Sequence, residues 1–224
     1  MQYQIITDPT LLRQFIDWLP DLQDNEKYYC TLFARKKYCQ DQIKSNAKSQ
    51  LKRFLSDKSR LFEKIKQLEV EIGAYRLKDD AAPQESLALY INPNPRNLRK
   101  ATFDGIIRLT ELLKNNQKNF NPHSEMLNCI QQSTGRKIFL DFDIDTKDFD
   151  FEALKKAINP SCLDILETRG GYHVLVYLAD IEAAYKKDFY QKIVALGVDQ
   201  AGDQLLPVAG CVQGGFTPKF IKPF

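Results

Sequence analysis

Hydrophobic positions change period several times along this chain, and each change marks an element. Residues 8–19, DPTLLRQFIDWL, open on Asp-Pro and repeat apolar side chains at helical spacing, which predicts a short amphipathic helix. YYCTLFARKKY (28–38) is dense in aromatic and apolar residues and reads as a strand ending in Arg35, Lys36 and Lys37. From Asp41 to Tyr75, Ile43, Ala47, Leu51, Leu55, Phe62, Ile65, Leu68 and Ile72 recur at threes and fours. That spacing predicts one long helix, or a helical pair broken near Ser56 and Asp57. DDAAPQES (79–86) is a turn-rich boundary, and 86–101 reads as a strand, a Pro-Asn-Pro turn and a helix start carrying Arg96, Arg99 and Lys100. Prolines there would hold Arg96 on a rigid turn. A helix over 102–115 follows, then a polar exposed loop over 115–126 in which His123 is ordinary surface.

The second half turns on KIFLDFDID (137–145), where apolar and acidic residues alternate strictly. A strand with this pattern sets Asp141, Asp143 and Asp145 on one face and Leu140, Phe142 and Ile144 on the other. Neighbouring carboxylates on that face lie ~6.5 Å apart and repel by roughly 2.5 kcal/mol at an effective dielectric of ~20. Divalent cations would offset that repulsion, and so would open water. A helix (148–158) and a turn (159–163) lead to ETRGGYHVLVYL, a turn from Thr168 to Gly171 and a strand from Tyr172. Consecutive Gly170 and Gly171 would take positive φ and aim amide N–H groups at an anion, with Arg169 and His173 as flanking donors. A helix over 181–196 precedes a Gly- and Pro-punctuated stretch containing Asp199 and Asp203. Acidic strand, donor-rich turn and later aspartates together suit a nucleoside triphosphate bound through hard cations.

Composition narrows the chemistry. Lys and Arg number 32 against 29 acids, a net charge of +3 that permits a nucleic-acid partner without arguing for one. The five cysteines are scattered and form no C-x-x-C pair, which argues against a disulfide framework and a zinc ribbon. Two histidines exclude a histidine-rich metal site, so any metal would be a carboxylate-held hard ion, Mg2+ or Mn2+. No apolar run approaches the ~20 residues of a membrane span, and MQYQIITDPT lacks signal-peptide regions, so a cytoplasmic location without a membrane partner is expected.

The order FLDFDID, then TRGGYHVLV, then GVD followed by a Pro-x-x-Gly-Cys stretch resembles the three motifs of the archaeo-eukaryotic primase (primase-polymerase) superfamily. The resemblance covers Lys137 to Phe220. It implies a single mixed α/β (α+β) domain with a two-lobed primase-type catalytic core. The lobes would be a helix-rich one over 1–125, with a helical insertion at 41–78, and an RRM-like one over 126–224 carrying the metal and nucleotide site. Asp141 and Asp143 match the family's metal-binding Asp-x-Asp pair, with Asp143 and Asp145 as the other register. Asp199 or Asp203 would be the third acid. His173 matches the motif histidine for the incoming phosphates, with Thr168, Arg169, Gly170 and Gly171 around it. Where relatives often carry an arginine before the Pro-Gly segment, this chain has Leu205 and Leu206. The implied activity is primer synthesis or extension on a single-stranded DNA template from nucleoside triphosphates, with Mg2+ or Mn2+. Arg35, Lys36, Lys37 and Arg96 are the expected nucleic-acid or nucleotide contacts, and a helicase or other replication protein an expected partner. Two alternatives stay open. Asp-x-Asp also serves metal-dependent glycosyltransferases and nucleases, which leave the TRGGYH turn unexplained, and a non-catalytic member would bind nucleic acid or nucleotide without polymerising.

Overall fold

The computed structural model describes residues 1–39, 48–77, 80–200, 202 and 205–223. Helix α1 (Pro9–Trp18) starts where the Asp8 carboxylate accepts from the Thr10 and Leu11 amides, and it buries Leu12, Phe15 and Ile16. Strand β1 (Glu26–Arg35) is buried along nearly its whole length. Antiparallel to it on one side runs β2 (Lys48–Ser56). This strand replaces the predicted long helix, of which only α2 (Leu61–Lys66) remains. The register between β1 and β2 shifts at Leu32/Phe33, whose partners are Lys52 and Gln50, so Leu51 is an extra residue. A bulge of this kind lets Leu51 and Phe54, three apart, both pack on the core, while Leu55, the next residue of the helical series, stands opposite Tyr29 in the strand. Ile43 and Ala47 lie outside the described residues.

After a small hairpin, β3 (Arg76–Leu77) with β4 (Asp80–Ala81), strand β5 (Leu87–Ile91) pairs with the other side of β1. Strand β6 (Arg96–Asn97) pairs with the start of β1. Helix α3 (Leu98–Lys114) follows, capped by the Asn97 side chain. The expected loop over 115–126 gives way to α4 (Pro122–Gln132), which Asn121 caps and Pro122 opens, so His123 lies in a first helical turn. That Asn-Pro start is a helix signal in its own right.

The second sheet runs β7 (Phe139–Ile144), α5 (Phe151–Ala157), β8 (Leu163–Glu167), β9 (Tyr172–Tyr177), α6 (Phe189–Val194), β10 (Asp199–Gln200). Its spatial order is β10-β7-β9-β8, with β12 (Lys219–Ile221) added beyond β8 and every pairing antiparallel. This is a β-α-β-β-α-β arrangement. Strand β8 is an element the sequence pattern did not reveal, and α6 is shorter than the predicted 181–196. Residues 183–188 form turns instead, although Ile181, Tyr185 and Phe189 pack on the cluster beneath them.

One face of this sheet buries Leu140, Phe142, Ile144, Val174 and Val176 in a cluster with Leu154 of α5 and Ile193 of α6. The other face sends Phe139, Leu166 and Leu175 into a larger core shared with β1, β5 and α1. The chain then returns to the first sheet, where β11 (Leu206–Pro207) pairs with β5. Among the described residues the first sheet is thus β11-β5-β1-β2, with β6 beside β1. Glu26 of β1 fastens the two sheets, accepting from Arg136 Nε at 2.9 Å and Nη2 at 2.7 Å just ahead of β7. No described helix is long and apolar enough to cross a membrane.

Candidate active site between the two sheets

The site grows from the register of the second sheet. Asp199 stands opposite Asp143 in the β10–β7 pair, and Asp143 opposite His173 in the β7–β9 pair. Residues in direct register share a face, so the three side chains form one row across the sheet. That row continues through Leu166 and Phe220 into the larger core. Its polar end is therefore held by its apolar end.

Asp141 lies two residues back along β7 on the same face. Its Oδ1 is 2.8 Å from His173 Nδ1. A carboxylate can only accept, so Nδ1 carries the proton and Nε2 turns toward Asp143 Oδ1, 3.6 Å away. The Asp141 side chain is 2% exposed and that of Asp143 43%. Asp141 therefore holds the imidazole from below, while Asp143 meets solvent. Burial pushes the Asp143 carboxyl above its ordinary range; His173 and Lys37 oppose the shift, and Asp145 and Asp141 add to it.

A cavity of about 390 Å³ opens at this row. Asp143, Asp145 and His173 form one wall, Arg35, Lys37, Tyr38 and Tyr90 the facing wall, and Thr168 and Gly170 contribute from the hairpin turn. Arg35 Nη1 donates to the Tyr90 hydroxyl at 2.9 Å, while its Nε is buried without a hydrogen-bond partner. The Arg169 guanidinium lies 4.7 Å from the centre of the Tyr38 ring and Lys37 Nζ 5.6 Å from it. Among the described residues none of Arg35, Lys37 and Arg169 is ion-paired with a carboxylate. Cations thus face carboxylates across a space of ligand size.

The hairpin turn differs from its expected form. Neither Gly170 nor Gly171 has positive φ. Two of the turn's amides are already used: Arg169 N–H donates to Gln213 Oε1 at 2.8 Å and Gly171 N–H to Thr168 Oγ1 at 3.3 Å. Gly171 is needed for a close approach instead, because a Cβ there would stand 1.8 Å from the Ile144 carbonyl oxygen at the end of β7. The left-handed glycine that serves the cavity is Gly214, with φ 61°, where a Cβ would meet the Tyr38 ring at 2.4 Å.

Of the cationic residues expected at nucleic acid, Arg35 and Lys37 line the cavity, whereas Lys36 does not. Arg96 is buried at the far end of β1, bonded to Thr134 Oγ1, with its pKa pushed down to about 10 by burial. A guanidinium enclosed there is out of reach of nucleic acid, which corrects its expected role. Asp203 lies outside the described residues. Tyr38 is legible in the sequence only as the neighbour of a run of three cations, whereas Tyr90 and Gln213 carry no local signal and went unnoticed.

Among the described residues no three His, Cys, Asp or Glu side chains converge as a metal-holding group. The donor chemistry nonetheless fits a hard cation. Asp143 and Asp145 offer oxygens to the cavity, and Asp141 Oδ2 is buried without a hydrogen-bond partner. Comparison with protein-family models, with curated proteins and with solved structures found no match to this chain.

Proposed function

We propose that this chain is a metal-dependent nucleotidyltransferase of the primase-polymerase type, synthesising or extending primers on a single-stranded DNA template from nucleoside triphosphates. One observation carries the reading: Asp143 and His173, in register with each other and with Asp199 on a β-α-β-β-α-β sheet, line one cavity together with the cations Arg35 and Lys37. Asp143 and Asp145, which line the cavity, would hold Mg2+ or Mn2+, with Asp199 as the register neighbour of Asp143. Ions bound there would draw the triphosphate and the attacking hydroxyl together and offset charge on the departing pyrophosphate. Arg35 and Lys37 approach the polyphosphate from the opposite wall. His173 presents Nε2 in an orientation set by Asp141, and the Tyr38–Arg169 stack closes the space beside it.

The test is incubation with labelled nucleoside triphosphates, primed and unprimed single-stranded DNA and manganese. Extended products from the wild-type chain, reduced at least ~1,000-fold in Asp143→Ala, are expected. Synthesis that persists undiminished in Asp143→Ala would overturn the assignment. A second reading is a nucleotide-binding protein without polymerase activity, since among the described residues Asp143 and Asp145 are the carboxylates that line the cavity. Triphosphate binding without synthesis would select it.

A further inference from the structure

Helix α3 carries a surface that neither the fold nor the cavity uses. Its inner side, Ala101, Gly105 and Leu112, is buried, and Gly105 lies so close to Met126 of α4 that a Cβ would stand 2.2 Å from the sulfur. Its outer side exposes Phe103 by 60%, Ile106 and Ile107 by 58% each, and Leu113 by 67%. At about 3.6 residues per turn these four fall on one strip, together with Arg99 near its start and Lys114 at its end. Of the two carboxylates of α3, Asp104 sits off that strip and Glu111 on its border. Asp104 is paired with Lys100 at 3.6 Å, and Arg108 turns to Glu125 of α4 at 3.0 Å. Among the described residues neither Arg99 nor Lys114 is ion-paired. The outward face is thus apolar in the middle and cationic at both ends.

We infer that this face docks an amphipathic helix of a partner protein, with an apolar stripe in the middle and acidic residues at both ends. Charge complementarity selects the acidic ends: Arg99 and Lys114 lie ~22 Å apart along the axis, about two heptads of a facing helix. Size selects a single helix. The strip offers on the order of 400 Å², about half of what each partner contributes to a stable protein–protein interface, which disfavours a second copy of this chain. Position leaves the cavity free. Strand β6, from which α3 springs, pairs with Glu26 and Lys27 at the start of β1, whereas Arg35 at the other end lines the cavity, ~30 Å away. The inference does not depend on the activity proposed above.

The probe is a fluorescein-labelled designed peptide of about 18 residues, with leucines on one helical stripe and glutamates at both ends, read by fluorescence anisotropy against the whole chain. Micromolar binding is expected, weakened at least ~10-fold by Ile106→Glu, by Phe103→Glu, and by replacing the peptide's glutamates with lysines. Both substituted positions are exposed, and far-ultraviolet circular dichroism checks that the variants fold. Equal binding of the lysine peptide, or no binding of either, would overturn the inference. So would Ile106-dependent sedimentation with phosphatidylserine vesicles in place of peptide binding, which would assign the strip to a lipid surface. An Ile106-dependent dimer in sedimentation velocity would assign it to a second copy and overturn it as well.

Discussion

The two faces of β7 are built from one alternating sequence and do opposite things. Leu140, Phe142 and Ile144 are closed over by α5 and α6, and burial of such side chains stabilises by about 1.5–3 kcal/mol each. Asp141 and Asp143 face the first sheet, where one carboxylate is sealed beneath a histidine and the other is held half-open against its preference for water. One strand therefore anchors the sheet with one face and carries an unfavourable concentration of charge on the other. Stability gained on the apolar side offsets the charge repulsion on the acidic side.

The sharpest way to break this contrast is on the apolar side. Phe142→Ala should lower unfolding free energy by about 4 kcal/mol in urea titration, since the ring is fully buried among Val174, Ile193 and their neighbours. A loss under about 1 kcal/mol would mean that the strand is not anchored there. Next is the sealed carboxylate. Asp141→Ala leaves the His173 Nδ1–H buried without its acceptor and should cost about 2 kcal/mol. Asp141→Asn, which keeps an acceptor oxygen, should recover part of it, and the imidazole 15N shifts should report Nδ1-protonated His173 in the wild type only where the Asp141 contact is intact.

The fastening between the sheets gives a pH test of about the same size. Hydrogen bonds from Arg136 hold the Glu26 carboxyl below its ordinary value of 4.5. Its contribution is therefore complete above that value and is lost as pH falls through the lower folded-state value. Arg136→Ala should destabilise by about 2 kcal/mol at neutral pH, with the difference from wild type shrinking on acidification below the ordinary glutamate value. A pH-independent difference would show that the pair acts through packing alone.

The smallest effect has the opposite sign. Asp143 carries a raised carboxyl, so the folded state holds its proton to higher pH than the unfolded chain does, and stability falls as pH rises through that window. Asp143→Asn should raise stability at neutral pH by less than about 1 kcal/mol, because the half-open side chain is screened by water. It should also abolish any manganese-induced rise in the wild-type melting temperature. A variant less stable than wild type would mean that the acidic face is no burden.

Much of this was legible in the residues. Strict alternation in FLDFDI specifies a two-faced strand whatever surrounds it, and Asp-Pro before LLRQF specifies a helix start, because both signals are local. Where long-range pairing intervenes, local spacing misleads. Leu51 and Leu55 read as one helical face, yet pairing with β1 makes a bulged strand in which Leu51 and Phe54 share the core side. Arg96 reads as surface beside two prolines, yet pairing with β1 and Thr134 buries it.

The sequence by itself determined that three aspartates share a face and that a histidine strand follows. Only the tertiary structure decided their unequal parts. Antiparallel register sets His173 beside Asp143 and leaves Asp141 beneath both, and the return of β11 to the first sheet brings Leu205 to the side of the cavity that carries Arg35, Tyr38 and Tyr90. Periodicity reports which way a side chain points, whereas register and crossover connections between distant segments decide what it meets.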